Sequence, residues 1–174
     1  SWKEDFDLGA NYLRPEILKQ IIFTKDQLGN FLAVPDTVLI CASYSPNYFT
    51  RTVSVKSFVR NDLNNKWGES LIVQGSFPAG ENYSVRDIQV YTDKQTELQY
   101  VFVTVGTQGI FKGTYNPSIP GKINWISTPE YGPLKIRPLG IAEANDTLYF
   151  SSGDKLYKRI DGSSPSYKIA HDFS

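Results

Sequence analysis

Three arginines are the residues of this chain whose type and spacing suggest binding chemistry. Arg14, Arg86 and Arg137 each lie at the start of a short apolar segment, and Arg86 and Arg137 are 51 residues apart. A guanidinium group binds a carboxylate or a phosphate through paired hydrogen bonds. If the fold brings the three positions together, they form a site for a small anion.

The same arginines have a structural alternative, in which each pairs with a nearby acid and joins neighbouring segments. The candidate acids are Asp87, Glu130 and Asp172. Asp87 directly follows Arg86, and we include it among the candidate ligand-binding residues. Trp125 is the fifth candidate, because an indole ring can stack on a sugar. For both Trp125 and Trp67 the alternative is a packing role between sheets.

Catalytic and metal-binding patterns are weak in this sequence. His171 is the only histidine and precedes Asp172, but consecutive strand residues point to opposite faces, so we expect His171 to be a surface residue. Cys41 is the only cysteine, and no group of His and Cys is spaced to hold zinc. Residues 106–109 are predicted to form a turn between strands, and they contain two glycines but lack the helix that a phosphate-binding loop requires. We therefore expect no metal and no cofactor.

The segments that carry these residues form a repeated pattern. Residues 85–126 and 136–170 each contain four short strand-like segments separated by turn residues, and a fainter copy begins near residue 14. In the second copy the first segment begins at residue 136 and the third covers residues 155–160. Four strands in roughly 40 to 50 residues is the period of a β-propeller blade. We predict an all-β fold of about three four-stranded blades within a single domain, residues 1–174. The predicted units are 14–75, 83–128 and 135–173.

Individual segments differ in the burial that they predict. Residues 100–105 carry no charge and suit a strand that lies between two sheets. Residues 51–60 alternate apolar and polar side chains, which indicates a half-exposed strand. Residues 17–23 are predicted as a strand, and a short helix is the alternative because Pro15 and Glu16 form an acceptable helix start.

Two stretches resemble known propeller blades. Residues 109–117 with 124–125 (GIFKGTYNP and NW), and residues 148–150 with 153–158 (LYF and GDKLYK), are similar to the units of tachylectin-2-like propellers and of uncharacterised propeller proteins. The resemblance covers about residues 83–173. It implies a propeller fold, and it implies carbohydrate binding at a site repeated in each unit.

A further resemblance concerns residues 161–167 (DGSSPSY), which are similar to a degenerate Asp-box. Arg159 occupies the position where that motif usually has Ser or Thr, and Tyr167 the position where it usually has Trp. The outer strands of the two units also differ, with Asn124 and Trp125 in one against Ser166 and Tyr167 in the other.

Three blades would leave two exposed edges, because closed propellers have about 4 to 8 blades and free edges associate. We therefore predict that the chain is half of a longer protein or that two copies close a six-bladed ring. An open three-sheet fold or a β-sandwich is the alternative. The predicted function is non-catalytic binding of a protein partner, or of a small anionic or carbohydrate ligand at the axial face. The alternative is a hydrolase or lyase with an axial active site.

The composition excludes some partner classes. Lys and Arg number 18, and Asp and Glu also number 18, so no net charge favours nucleic acid or an anionic membrane. No apolar run approaches the roughly 20 residues that a membrane span requires. We expect neither nucleic acid nor a membrane as a partner.

Overall fold

A computed structural model of the chain describes residues 14–44, 53–61, 66–71, 85–118, 122–136 and 138–174. Within these ranges the chain forms twelve strands and one 3-10 turn, and none of the described residues is α-helical. The strands form three antiparallel sheets, each with four strands in chain order. The prediction of an all-β fold is therefore confirmed.

The first sheet contains four strands: β1 (Arg14–Lys25), β2 (Phe31–Tyr44), β3 (Val53–Asn61) and β4 (Lys66–Leu71). The strand prediction for residues 17–23 is confirmed over the helix alternative. Ile21 and Phe23 are buried while Ile22 between them is 52% exposed, which is the two-residue period of a strand. The turn that follows is closed by Asp26, whose Oδ1 accepts hydrogen bonds from the backbone N–H groups of Leu28 and Asn30, both at 2.8 Å.

The second sheet contains β5 (Val85–Thr92), β6 (Gln99–Val105), β7 (Gly109–Asn116) and β8 (Lys122–Trp125). The third sheet contains β9 (Pro138–Ala144), β10 (Thr147–Ser152), β11 (Lys155–Ile160) and β12 (Ser166–Asp172). The turn predicted at residues 106–109 is the 3-10 turn Gly106–Gln108. The first strand of the third sheet begins at Pro138, two residues later than the sequence pattern indicated.

The sheets pack face to face in chain order, with the second sheet between the other two. The first strand of each sheet contacts the first strand of the next, since β1 contacts β5 and β5 contacts β9. Every residue of β6 is buried. Val101 and Val103 face the first sheet, whereas Tyr100 and Phe102 face the third. The prediction that residues 100–105 lie between two sheets is confirmed.

Each of the two interfaces between sheets contains a hydrophobic core. In the first core, Phe23 of the first sheet stacks on Tyr115 of the second, with ring centroids 4.5 Å apart. In the second core, Phe102 and Ile110 of the second sheet pack with Phe150 of the third. The described strands do not close into a ring, and the blade interpretation stays a prediction.

Candidate functional site

Arg159 is the centre of a buried network of charged groups between the second and third sheets. It lies on β11 two residues after Tyr157, so both side chains point towards the second sheet. Its Nε lies 2.7 Å from Oε1 of Glu130, and its Nη1 lies 2.7 Å from Oδ2 of Asp93 and 2.6 Å from Oδ1 of Asp161. We call these four residues, with Lys112 and Tyr167, the Arg159 cluster.

Asp93 enters the cluster from the turn that follows β5. Its Oδ1 accepts hydrogen bonds from the backbone N–H groups of Gln95 and Thr96, both at 2.9 Å. These bonds hold the turn in place and leave Oδ2 free to accept from Arg159 and from the backbone N–H of Gly162 at 3.1 Å. Asp93 therefore joins the second sheet to the end of β11.

Glu130 enters the cluster from the segment between the second and third sheets. The backbone N–H of Glu130 donates to the carbonyl of Ile110 at 2.8 Å, which holds this segment against β7. Gly109 permits the approach, because a Cβ added there would lie 2.0 Å from the carbonyl oxygen of Tyr131. The Glu130 carboxylate forms an ion pair with Lys112 and accepts a hydrogen bond from the Tyr167 hydroxyl at 2.7 Å.

The hydrogen-bond partners of Asp93 and Glu130 lower the pKa of both carboxyl groups. Burial by itself raises the pKa of Asp93, but the hydrogen bonds from Arg159 and from the backbone outweigh it and lower that pKa to about 2. Burial acts on Glu130 in the same way, and Arg159, Lys112 and Tyr167 lower its pKa overall. Burial and the neighbouring Glu130 carboxylate raise the pKa of Tyr167, so its hydroxyl remains a donor.

Each carboxylate of the cluster is engaged by Arg159 and by at least one further donor. For Asp161 the further donors are the Tyr91 hydroxyl at 2.5 Å and the backbone N–H of Lys94 at 2.9 Å. Buried charges need such compensation, because an unpaired ion in the interior costs several kcal/mol by order of magnitude. The arrangement connects two sheets and the segment between them.

The predicted site residues Arg86 and Asp87 lie on β5. Arg86 is exposed, and its side chain forms no ion pair or hydrogen bond with the described residues. Asp87 is half-buried, and its Oδ1 accepts from the backbone N–H of Ile88 at 2.8 Å and lies 3.5 Å from Nζ of Lys19. Its Oδ2 accepts from the backbone N–H of Ile141 at 3.1 Å. Asp87 thus joins the first strands of all three sheets.

The other candidates are distributed along the chain. Arg14 is the first residue of β1, and Arg137 lies outside the described residues. Trp125 ends β8, where it packs against the first core, and Trp67 lies in β4. The structure brings Asp87 together with Lys19, and the convergence of the three arginines stays a prediction.

The acids proposed as partners of these arginines have other partners. Asp87 contacts Lys19, as described above, and Glu130 is bound by Arg159 and Lys112. Asp172 is bound by Lys155, whose Nζ lies 2.7 Å from its Oδ2.

The remaining catalytic and metal-binding candidates lie apart from the Arg159 cluster. His171 is exposed as predicted, with its ring 4.4 Å from that of Phe173. Cys41 lies in β2. Within the described ranges, no three His, Cys, Asp or Glu residues are grouped so that they could hold a metal ion. The same part of the chain contains no helix long and apolar enough to cross a membrane.

The Arg159 cluster was not predicted from the sequence, although a local signal for it exists. Tyr157, Arg159 and the cross-strand partner Tyr167 share one face of the third sheet. A charged residue on a face that is otherwise aromatic predicts a buried ion pair. Its partners Asp93 and Glu130 come from turns 66 and 29 residues away, and no spacing rule connects them to Arg159.

Comparison with known proteins finds no match for this chain. The chain matches no protein-family model, no curated protein and no solved structure. The geometry of the described residues is therefore the basis for proposing a function.

Proposed function

We propose that the chain is a β-propeller-type module that binds a partner without catalysing a reaction, and that the partner is another protein. The observation that supports this proposal is the use of the buried charged groups. The Arg159 cluster joins the second and third sheets, and Asp87 joins the first strands of all three. These buried and half-buried charged groups therefore connect neighbouring sheets.

The contacts of the carboxylates argue against catalysis. A general acid or base must lie within hydrogen-bond reach of a substrate, and its pKa is usually shifted towards the working pH. The pKa values of Asp93 and Glu130 are lowered, and both carboxylates are occupied by Arg159 and further donors. Both carboxylates are therefore charged at neutral pH, and both are already hydrogen-bonded within the protein.

The arrangement of the sheets supports the propeller interpretation. Each sheet consists of four antiparallel strands in chain order, and its first strand contacts the first strand of the next sheet. Successive blades of a propeller pack in this manner around a central axis. The first strands β1, β5 and β9 would then be the innermost strands.

A hydrolase or lyase at the axis is the alternative function. It would use Arg86, the second residue of β5, and Arg137, which directly precedes β9 in the sequence. The acid beside Arg86 is Asp87, and it accepts backbone hydrogen bonds from Ile88 and Ile141. This acid therefore has a connecting role, which favours binding over catalysis.

The test uses the double variant Arg86→Ala, Arg137→Ala beside the wild-type chain. Chromogenic esters and glycosides are assayed for turnover, and inorganic phosphate and N-acetylglucosamine are titrated in two-dimensional NMR spectra. We expect no turnover above the buffer rate. Turnover that the double variant loses while it keeps the wild-type melting temperature would contradict the proposal. If the wild-type chain binds phosphate or the sugar and the double variant does not, the ligand is a small molecule at the axis and not a protein.

A further inference from the structure

Lysines of the first sheet bind carboxylates that come from farther along the chain. Lys19 of β1 pairs with Asp87 of the second sheet, and its Nζ lies 3.5 Å from Oδ1. Lys25, at the end of β1, donates from Nζ to the carbonyl of Glu97 at 3.0 Å and lies 3.9 Å from Oε2 of the same residue. Both lysines alternate with the core residue Ile21, so they lie on the face that the second sheet covers.

Lysines of the second sheet follow the same pattern. Lys112 of β7 pairs with Glu130, which belongs to the segment leading into the third sheet. Lys94, in the turn after β5, has its Nζ 3.6 Å from Oδ2 of Asp146, in the turn between β9 and β10. Each lysine of the first two sheets and their turns whose side chain the structure describes is therefore paired with an acid of the next sheet, or of the segment leading to it.

Two lysines of the third sheet have no such acid among the described residues. On β11, Tyr157 and Arg159 point towards the second sheet, so Lys158 between them lies on the opposite face. Lys168 of β12 is directly opposite Lys158 in the strand register. Neither side chain forms an ion pair or a hydrogen bond with the described part of the chain. Because like charges at paired positions destabilise a sheet, a carboxylate bound between these lysines would stabilise it.

We call the side of the third sheet that carries these lysines its outer face. The strand register places six large or ionisable side chains on it: Tyr149, Leu156, Lys158, Ile160, Lys168 and His171. At its positions on this face, β9 contributes only glycine and alanine. Tyr149, Leu156 and Ile160 are half-buried and belong to neither core. The described residues of this face include no Asp or Glu, so it combines apolar side chains with a positive charge.

A covered face within the protein has the same arrangement. On the second sheet, Lys112 lies across from Phe102 in the register, just as Lys158 lies across from Tyr149 on the outer face. Phe102 belongs to the second core, which the third sheet covers, and Lys112 is paired with Glu130. In this protein, a lysine beside an aromatic ring is therefore covered by a sheet with a neighbouring acid. Nucleic-acid interfaces are more polar and much more positively charged than this face.

From these contacts we infer that the outer face of the third sheet binds an acidic β-sheet surface of a different protein. The partner supplies carboxylates to Lys158 and Lys168 and covers the apolar side chains beside them. Complementary charges across an interface give specificity and fast association, and salt weakens their attraction. The inference rests on the proposed function, and it states the chemistry of the protein partner.

The experiment titrates two synthetic β-hairpin peptides into the wild-type chain and follows its backbone amides by two-dimensional NMR. One peptide has a face of valine, tyrosine and glutamate, and in the other glutamine replaces each glutamate. We expect the glutamate peptide to bind about tenfold more tightly or better, because its carboxylates meet Lys158 and Lys168. The largest shifts should lie in β10, β11 and β12. The preference should shrink at an ionic strength of about 1 M, where the screening length is about 3 Å.

Charge reversal tests the two lysines directly. The double variant Lys158→Glu, Lys168→Glu should lose the preference for the glutamate peptide, whereas Lys158→Arg with Lys168→Arg should keep it. Lys135→Glu is the matched control, since Lys135 is exposed in the segment before β9 and lies off the outer face. Circular dichroism of every variant checks that the fold is intact. If the double reversal does not fold, Lys158→Gln, which removes one charge without adding a repulsion, should still reduce the preference.

Three results of the titration would overturn the inference: no binding of the glutamate peptide, equal binding of the two peptides, or a preference that the reversal of both lysines leaves unchanged. Sedimentation velocity adds a fourth, because a wild-type dimer that the double reversal loses would make a second copy the occupant of the face. None of these results bears on catalysis. Failed peptide binding therefore leaves the non-catalytic proposal in place, whereas turnover in the assay above refutes that proposal.

Discussion

Arg159 and Asp93 form an ion pair of 2.7 Å in which both side chains are fully buried. One partner belongs to β11 of the third sheet and the other to the turn after β5 of the second, so the pair crosses the interface between two sheets. Removing one member of such a pair destabilises the protein by more than the intact pair stabilises it, because the remaining charge stays buried without a partner.

Replacing Arg159 by Met should strongly destabilise the protein. The substitution leaves Asp93, Glu130 and Asp161 without their shared cation, and we expect the free energy of unfolding to fall by about 3–5 kcal/mol. Urea denaturation monitored by tryptophan fluorescence measures this change. Lys155→Met is the matched control on the same strand, since the Lys155–Asp172 pair is at the surface and should contribute little. Equal effects of the two substitutions would show that the Arg159 cluster is not a stabilising connection.

The protein should lose stability in acid. The pKa of Asp93 in the folded protein is about 2, below its ordinary value, and that of Glu130 is also lowered. Their contribution is therefore present above the ordinary carboxyl pKa and is lost as the pH falls towards 2, by on the order of 2 kcal/mol for Asp93. Unfolding free energies measured between about pH 6 and pH 2 check this.

A control for the acid dependence is the variant Asp93→Asn. It carries no titrating group at this position, so its unfolding free energy should fall less steeply with decreasing pH than that of the wild type. The same slope in both proteins would mean that Asp93 does not contribute to acid unfolding.

Gly113→Ala should destabilise the second sheet. A Cβ at Gly113 would lie 2.6 Å from Cγ2 of Ile123 and 3.1 Å from Cε3 of Trp125, so the packed neighbours must move. Overpacking of this kind costs about 1–3 kcal/mol, which appears as a lower melting temperature. Gly140→Ala is the control, because its Cβ would meet only Oδ2 of Asp87 at 3.6 Å. Finding Gly140→Ala to be the more harmful of the two would contradict the packing described for β7 and β8.

Asp87→Ala should loosen the contact among the three first strands. Without the carboxylate, the backbone N–H groups of Ile88 and Ile141 lose an acceptor, and we expect a loss of about 1–3 kcal/mol in unfolding free energy. Hydrogen exchange should show faster exchange of the Ile141 amide in the variant. Glu143→Ala, at an exposed position of β9, is the control. An unchanged Ile141 exchange rate would argue that Asp87 serves a ligand instead.

The local sequence determined the strands of this protein. The place of residues 17–23 in the repeat predicted a strand, and the absence of charge from residues 100–105 predicted a strand between two sheets, because such patterns depend only on residues close together in the chain. Turn residues separated the segments clearly enough that β11 was predicted at its observed bounds, Lys155–Ile160. β9 begins at Pro138, two residues later than predicted.

Only the tertiary structure decided which charged groups meet. Arg86 and Arg137 recur at one place in the repeat and were therefore predicted to bind a ligand, but Arg86 is exposed. Arg159, a single arginine in an ordinary strand, is the one that holds three carboxylates. Its partners come from separate turns that approach one another only when the sheets pack. Periodicity in a sequence reports the face on which a side chain lies, whereas an ion pair depends on distances between faces that no local pattern specifies.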